Sequence, residues 1–139
     1  MLMKEPTWDI NGMISYRNTP EMGLGIFATR LIVERTEITC NPVRTYKDKD
    51  AELLRKTDAY RMMFVDRDFY GPNGSNPPIH LVLGSISMLN HGDKENCMVL
   101  WELNEVKPEM SQAKLIAMRD INPGEQLLMK YHNFDEYDF

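Results

Sequence analysis

Glycine, proline and asparagine cut this chain into short apolar segments, and that punctuation leaves room for little besides short strands and turns. Residues 13–18 (MISYRN) read as a strand that ends at TPEMGLG, a turn rich in Pro and Gly. Residues 26–39 (IFATRLIVERTEIT) alternate and are rich in β-branched side chains, which predicts one or two strands, broken by Pro42. Only residues 48–65 change period. There Leu53, Thr57, Tyr60 and Phe64 fall on one helical face, with Asp48, Asp50 and Glu52 near the start, where a helix dipole favours them. DRDFYGPNGSNPPIH predicts a loop or hairpin, and LVLGSISML a strand followed by one helical turn. CMVLWEL reads as a strand, NEVKPEMSQ as a loop and KLIAMRD as the partner strand. INPGE follows as a tight turn with Pro123 and Gly124 placed for a β-turn, and QLLMKY is the final strand. The expected class is α+β, strand-dominated.

A chain of 139 residues suits one compact domain. Its 42% hydrophobic and 27% charged residues are an ordinary globular mixture, with no apolar run of membrane-spanning length. Lys4, Glu5, Pro6 and Asp9 interrupt the N-terminal apolar residues, so no signal peptide is expected and an intracellular, soluble protein is the default. The net charge of −5 argues against direct nucleic-acid binding, which rests on clustered Lys and Arg, and suits a Lys-rich protein partner. Cys40 and Cys97 are the only cysteines and are expected as free thiols. With His80, His91 and His132 in no ligand spacing, no metal is expected.

Three small motifs could carry chemistry. Gly23-Leu24-Gly25 allows close backbone approach or positive φ, but alone it reads as a hairpin turn. Asn90-His91 sets an amide beside an imidazole after an apolar run, where a helix-ending role is the simpler reading. Tyr131 closes the last predicted strand, a common place for a half-buried cross-strand partner.

Taken together and in order, Gly23-x-Gly25, Asn90-His91…Asn96-Cys97 and Gly124-Glu125…Tyr131 resemble the SET-domain family of protein lysine methyltransferases, in particular its minimal viral and bacterial members. The resemblance covers residues 13–137 of a single domain, 1–139. It departs at Gly92–Glu95, which replace the family's Ser-Cys-x-Pro, and at Lys130, where Asp is common. No Cys-rich segment follows Tyr131, so a zinc-binding post-SET element is not expected.

The resemblance implies a β-clip-like fold of small curved sheets with a pseudoknot-like C-terminal threading. It implies methyl transfer from S-adenosylmethionine to a lysine amine of a protein substrate. Asn90, His91 and Gly23, Leu24 and Gly25 would then bind the cofactor, and Tyr131 would be the catalytic hydroxyl. Tyr60 would be a second channel tyrosine, or else a core aromatic on its helix. Phe134 and Tyr137 would stack on adenine or line the lysine channel. A homodimer is a further partner arrangement that the resemblance raises. The alternatives are a SET-like peptide-binding module without turnover and a strand-rich interaction protein without cofactor.

Overall fold

The computed structural model describes residues 12–66 and 77–130. Strands β1 (Ile14–Thr19) and β2 (Gly23–Ala28) form an antiparallel hairpin. Its reversal needs Gly23, whose φ of +73° is a conformation that side chains disfavour. The Thr19 hydroxyl pins the turn, accepting from Met22 N–H at 2.9 Å and donating to the Gly23 carbonyl at 2.8 Å. The glycine motif therefore opens a strand as well as closing a turn.

Strand β3 (Glu37–Tyr46) is the spine of a five-stranded antiparallel sheet. Its other members are β4 (Phe64–Val65), β5 (Ile79–Val82), β7 (Cys97–Glu102) and β8 (Gln112–Ala117), in the order β4-β5-β3-β8-β7. Pro42 does not break β3, contrary to expectation. It sits where pairing with β8 ends and pairing with β5 begins, a place where a missing N–H is tolerated. Its carbonyl still accepts from Leu83 N–H at 2.9 Å. Phe64 and Trp101 belong to the two edge strands, yet their rings lie 5.3 Å apart, so the sheet curls until its edges meet.

The single helix expected over residues 48–65 is also corrected. Helix α1 spans only Asp48–Leu54, a 3-10 turn covers Asp58–Met62, and β4 takes the last two positions. Thr57 is extended, and its hydroxyl donates to the Leu54 carbonyl at 2.7 Å, giving the backbone an alternative to another helical turn. Ala51, not Leu53, is the side chain α1 buries.

The expected strand and helical turn of LVLGSISML are present as β5 and a 3-10 turn at Ser85–Met88. Beyond them, β6 (Asn90–His91) pairs in parallel with β9 (Leu128–Met129), a shorter strand than QLLMKY predicts. On its way to β9 the C-terminal segment lies against the first hairpin. Ala28 N–H donates to the Glu125 carbonyl at 2.9 Å, and Leu127 N–H to Ile26 at 2.8 Å. This passage joins the hairpin to β6 and gives the small curved sheets their crossing.

One apolar core lies beneath these pieces, with Ile14, Ile26, Ile38, Leu89, Leu115 and Leu127 all buried. A smaller cluster of Ala51, Met63 and Ile79 underlies α1. Cys40 is exposed and Cys97 buried, both free. Among the described residues, no helix is long and apolar enough to cross a membrane.

Candidate active site

Asn90 sits at the crossing, and its amide nitrogen makes two hydrogen bonds. One goes to the Leu24 carbonyl at 3.2 Å and the other to Gln126 Oε1 at 2.9 Å. The fold thus brings the glycine motif, the Asn-His motif and the C-terminal motif into contact. Gly25 makes the approach feasible: a Cβ there would stand 2.5 Å from Gln126 Oε1 and 3.0 Å from Asn90 Nδ2. Gly23 serves the turn and Gly25 the contact.

Asn96, only 1% exposed, clamps the same passage. Its Nδ2 donates to the Gln126 carbonyl at 2.9 Å, and its Oδ1 accepts from Leu128 N–H at 2.8 Å. Its own backbone N–H reaches the Leu128 carbonyl at 3.0 Å. A buried amide that satisfies both ends of itself and two backbone groups is well suited to fix one chain on another.

His91 pairs with Met129 through β6 and β9, and its ring, largely buried, stands 4.0 Å from Asp93. Gly92, a departure from the family's serine, has a local reason: a Cβ there would stand 2.8 Å from Leu128 Cδ1. Glu125 belongs to the preceding turn. It accepts from Asn122 N–H at 2.6 Å and faces Arg119 at 3.2 Å, and those two partners hold its carboxyl below the usual range.

Gln126 was not singled out by its sequence context; only its place after Gly124-Glu125 could have drawn attention to it. Tyr60 lies on the 3-10 turn and packs on the cluster beneath α1, with the Arg55 guanidinium 5.7 Å from its ring centroid. Phe64, four residues on, is the ring that reaches a cavity. Tyr131, Phe134 and Tyr137 lie outside the described residues.

That cavity, about 290 Å³, opens between the two sheet edges. Phe64, Val65, Cys97, Val99, Trp101 and Met129 give it apolar walls, and Glu95 and Lys130 also line it. Because Met129 pairs with His91, the crossing that carries Asn90 also forms a wall of the cavity. Burial pushes the Cys97 thiol up to about 12, so it is an inert wall group.

A second cavity of about 570 Å³ lies beside the curled sheet, lined by Thr45, Lys47, Asp66, His80 and Glu105 among others. His80 is buried there between Thr45 Oγ1 at 2.9 Å and Asp66 Oδ2 at 3.4 Å, and its ring lies 5.1 Å from that of Trp101. Burial lowers its pKa despite the opposing pull of Asp66, which keeps the imidazole neutral at neutral pH.

A SET-domain family model matches residues 23–132, a span that includes every element from β2 to β9. The chain belongs to the SET-domain family. Members of that family are in general protein methyltransferases. The fold of this SET domain is similar to a solved Plasmodium falciparum structure described as a "putative histone methyltransferase". That similarity has a TM-score of 0.63 at 20% sequence identity and covers 90% of this chain and 98% of the other. No curated protein matches the sequence.

Proposed function

We propose that this SET domain transfers a methyl group from S-adenosylmethionine to the side-chain amine of a lysine in a protein substrate. The observation that carries the reading is the meeting of Leu24, Asn90 and Gln126 at a crossing whose other side walls an apolar cavity.

The amide chemistry fits the cofactor. Both hydrogens of Asn90 Nδ2 are engaged, and Asn90 Oδ1 has no hydrogen-bond partner among the described residues. It presents an acceptor, as the α-ammonium of a methionyl group requires. Bound S-adenosylmethionine supplies an electrophilic methyl carbon on a sulfonium. The protein's part is placement: orienting the two reactants in line contributes much of the acceleration in such reactions. Asn90 and the Gly23, Leu24 and Gly25 turn would hold the amino-acid end. His91, Phe134 and Tyr137 would surround the nucleoside.

The lysine enters from the cavity side. Its ammonium has an ordinary pKa of about 10.4 and must give up a proton before transfer. Apolar walls such as Phe64, Val99 and Trp101 favour the neutral amine by desolvation. Tyr131 directly follows Lys130, a residue that lines the cavity, and we assign its hydroxyl to orienting the amine. Tyr60 takes a secondary place, on the element leading into Phe64. The chain's net charge of −5 suits a Lys-rich substrate segment.

Transfer of a tritiated methyl group to a lysine-containing peptide tests the reading. Tyr131→Phe is expected to lower transfer by roughly a hundredfold, the scale of a lost orienting or proton-handling group. Binding of S-adenosylhomocysteine should survive the change. Equal transfer by the variant and the wild type would contradict the Tyr131 assignment. Binding without transfer in the wild type would favour a peptide-binding module instead.

A further inference from the structure

We propose that Gln126 is a positioning residue that holds Asn90 in the orientation set by the Leu24 carbonyl, so that the site selects ligands presenting an ammonium at that point. The proposal rests on the cofactor reading above and goes beyond it in naming the residue that keeps Asn90 aimed at that group.

Leu24 fixes the polarity. A backbone carbonyl can only accept, so the Asn90 atom 3.2 Å from Leu24 O must be the amide nitrogen. The same nitrogen stands 2.9 Å from the Gln126 side chain, and two NH₂ groups cannot satisfy one another. Gln126 therefore turns its oxygen to Asn90. One backbone carbonyl thus sets the direction of two side-chain amides in succession, without reference to any ligand.

Asn90 is left with a single unused group. Its Nδ2 hydrogens go to Leu24 and Gln126, while Oδ1 has no partner among the described residues. Nor is Oδ1 one of the buried unpartnered side-chain atoms there, which are Arg55 Nε and Ser85 Oγ. Without Gln126, Asn90 would keep one bond and gain freedom to rotate about its side chain. The acceptor would then be offered in several directions, and the preference for an ammonium would fade. Gln126 is itself held: its carbonyl accepts from buried Asn96 at 2.9 Å, and its residue pairs with Phe27. Gly25 belongs to the device too, because a side chain there would occupy the space of the amide contact.

The test is calorimetric and uses the full chain. S-adenosylhomocysteine is compared with its des-amino analogue, which differs only in lacking the α-ammonium. Wild type should bind the amine-bearing compound about tenfold tighter or better, the scale of a hydrogen bond to a charged group. Gln126→Met keeps the length and removes the acceptor, and should erase most of that preference while leaving the affinity for the des-amino compound unchanged. Gln126→Glu restores an acceptor and should restore the preference. A thermal melt of each variant identifies any that fail to fold. Equal weakening of both compounds by Gln126→Met would show a merely structural role and overturn the assignment. So would an unchanged preference. Wild type that binds neither compound would overturn the cofactor reading itself, and this assignment with it.

Discussion

Two kinds of join hold this SET domain together. In the five-stranded sheet, β3 runs ten residues and β7 and β8 six each, so backbone ladders are long and Ile38, Val43, Leu115 and Ala117 bury beneath them. At the crossing, β6 and β9 are two residues each, and side-chain amides supply what the backbone cannot. The sheet gains its stability from buried apolar area, which is non-directional and tolerant of shape-preserving change. The crossing depends on directional bonds, which leave stranded partners when one member is lost. A site for a polar ligand belongs on the second kind of join, because its groups arrive already oriented.

The contrast predicts separable mutants. Leu115→Ala removes a fully buried side chain from the sheet and should cost about 2–5 kcal/mol in denaturant melts. The molecules that remain folded should bind S-adenosylhomocysteine as wild type does. Asn96→Ala leaves the Gln126 carbonyl and Leu128 N–H without their partner and should cost roughly 2–4 kcal/mol. Unlike Leu115→Ala, it should also weaken S-adenosylhomocysteine binding in the folded fraction. Equal effects of the two variants on binding would erase the distinction between the two joins.

Gly25→Ala sharpens the comparison. Its new Cβ would meet the far end of the Gln126 side chain, which can swing aside cheaply. Stability should therefore fall only by about 1 kcal/mol, the scale of the one part-buried hydrogen bond lost, while binding falls as in Gln126→Met. A large stability loss without a binding defect would place Gly25 in the structural class.

The sheet side also carries a pH signature. Burial depresses the pKa of His80, with Asp66 opposing and Lys47 reinforcing. The folded protein then resists a proton that the unfolded chain accepts, so stability is full above about pH 6.5 and is lost as pH falls toward the lower folded value. Denaturant melts between pH 8 and pH 5 should show this slope, and His80→Gln should flatten it. The smallest effect is chemical. Exposed Cys40 should react with a thiol reagent in the native state and buried Cys97 only after unfolding.

Many of the strands are legible in the sequence because short runs of strand-favouring residues bounded by turn residues are a strong signal, as in MISYRN and CMVLWEL. Two-residue strands carry no period, so β6 left no signal of its own, and β9 shows only as part of the longer strand expected for QLLMKY. Leu53, Thr57, Tyr60 and Phe64 match helical spacing, but the Thr57 hydroxyl found a local partner and the chain turned into a strand. Pro42 misled in the opposite sense, because its place at the changeover between two ladders depends on partners far along the chain. Asn90 and the glycine motif were visible as residue types. Gln126 was not, since its meaning lies in an amide contact across 36 positions.

The side-chain amide resonances of ¹⁵N-labelled protein give the most direct test of the central claim, that Asn90 offers its oxygen to the ammonium of a methionyl nucleoside. On addition of S-adenosylhomocysteine, the Asn90 NH₂ pair should shift and the Asn96 pair stay in place, with the Asn90 shift absent for the des-amino analogue. Saturable binding that leaves the Asn90 pair unmoved would contradict it.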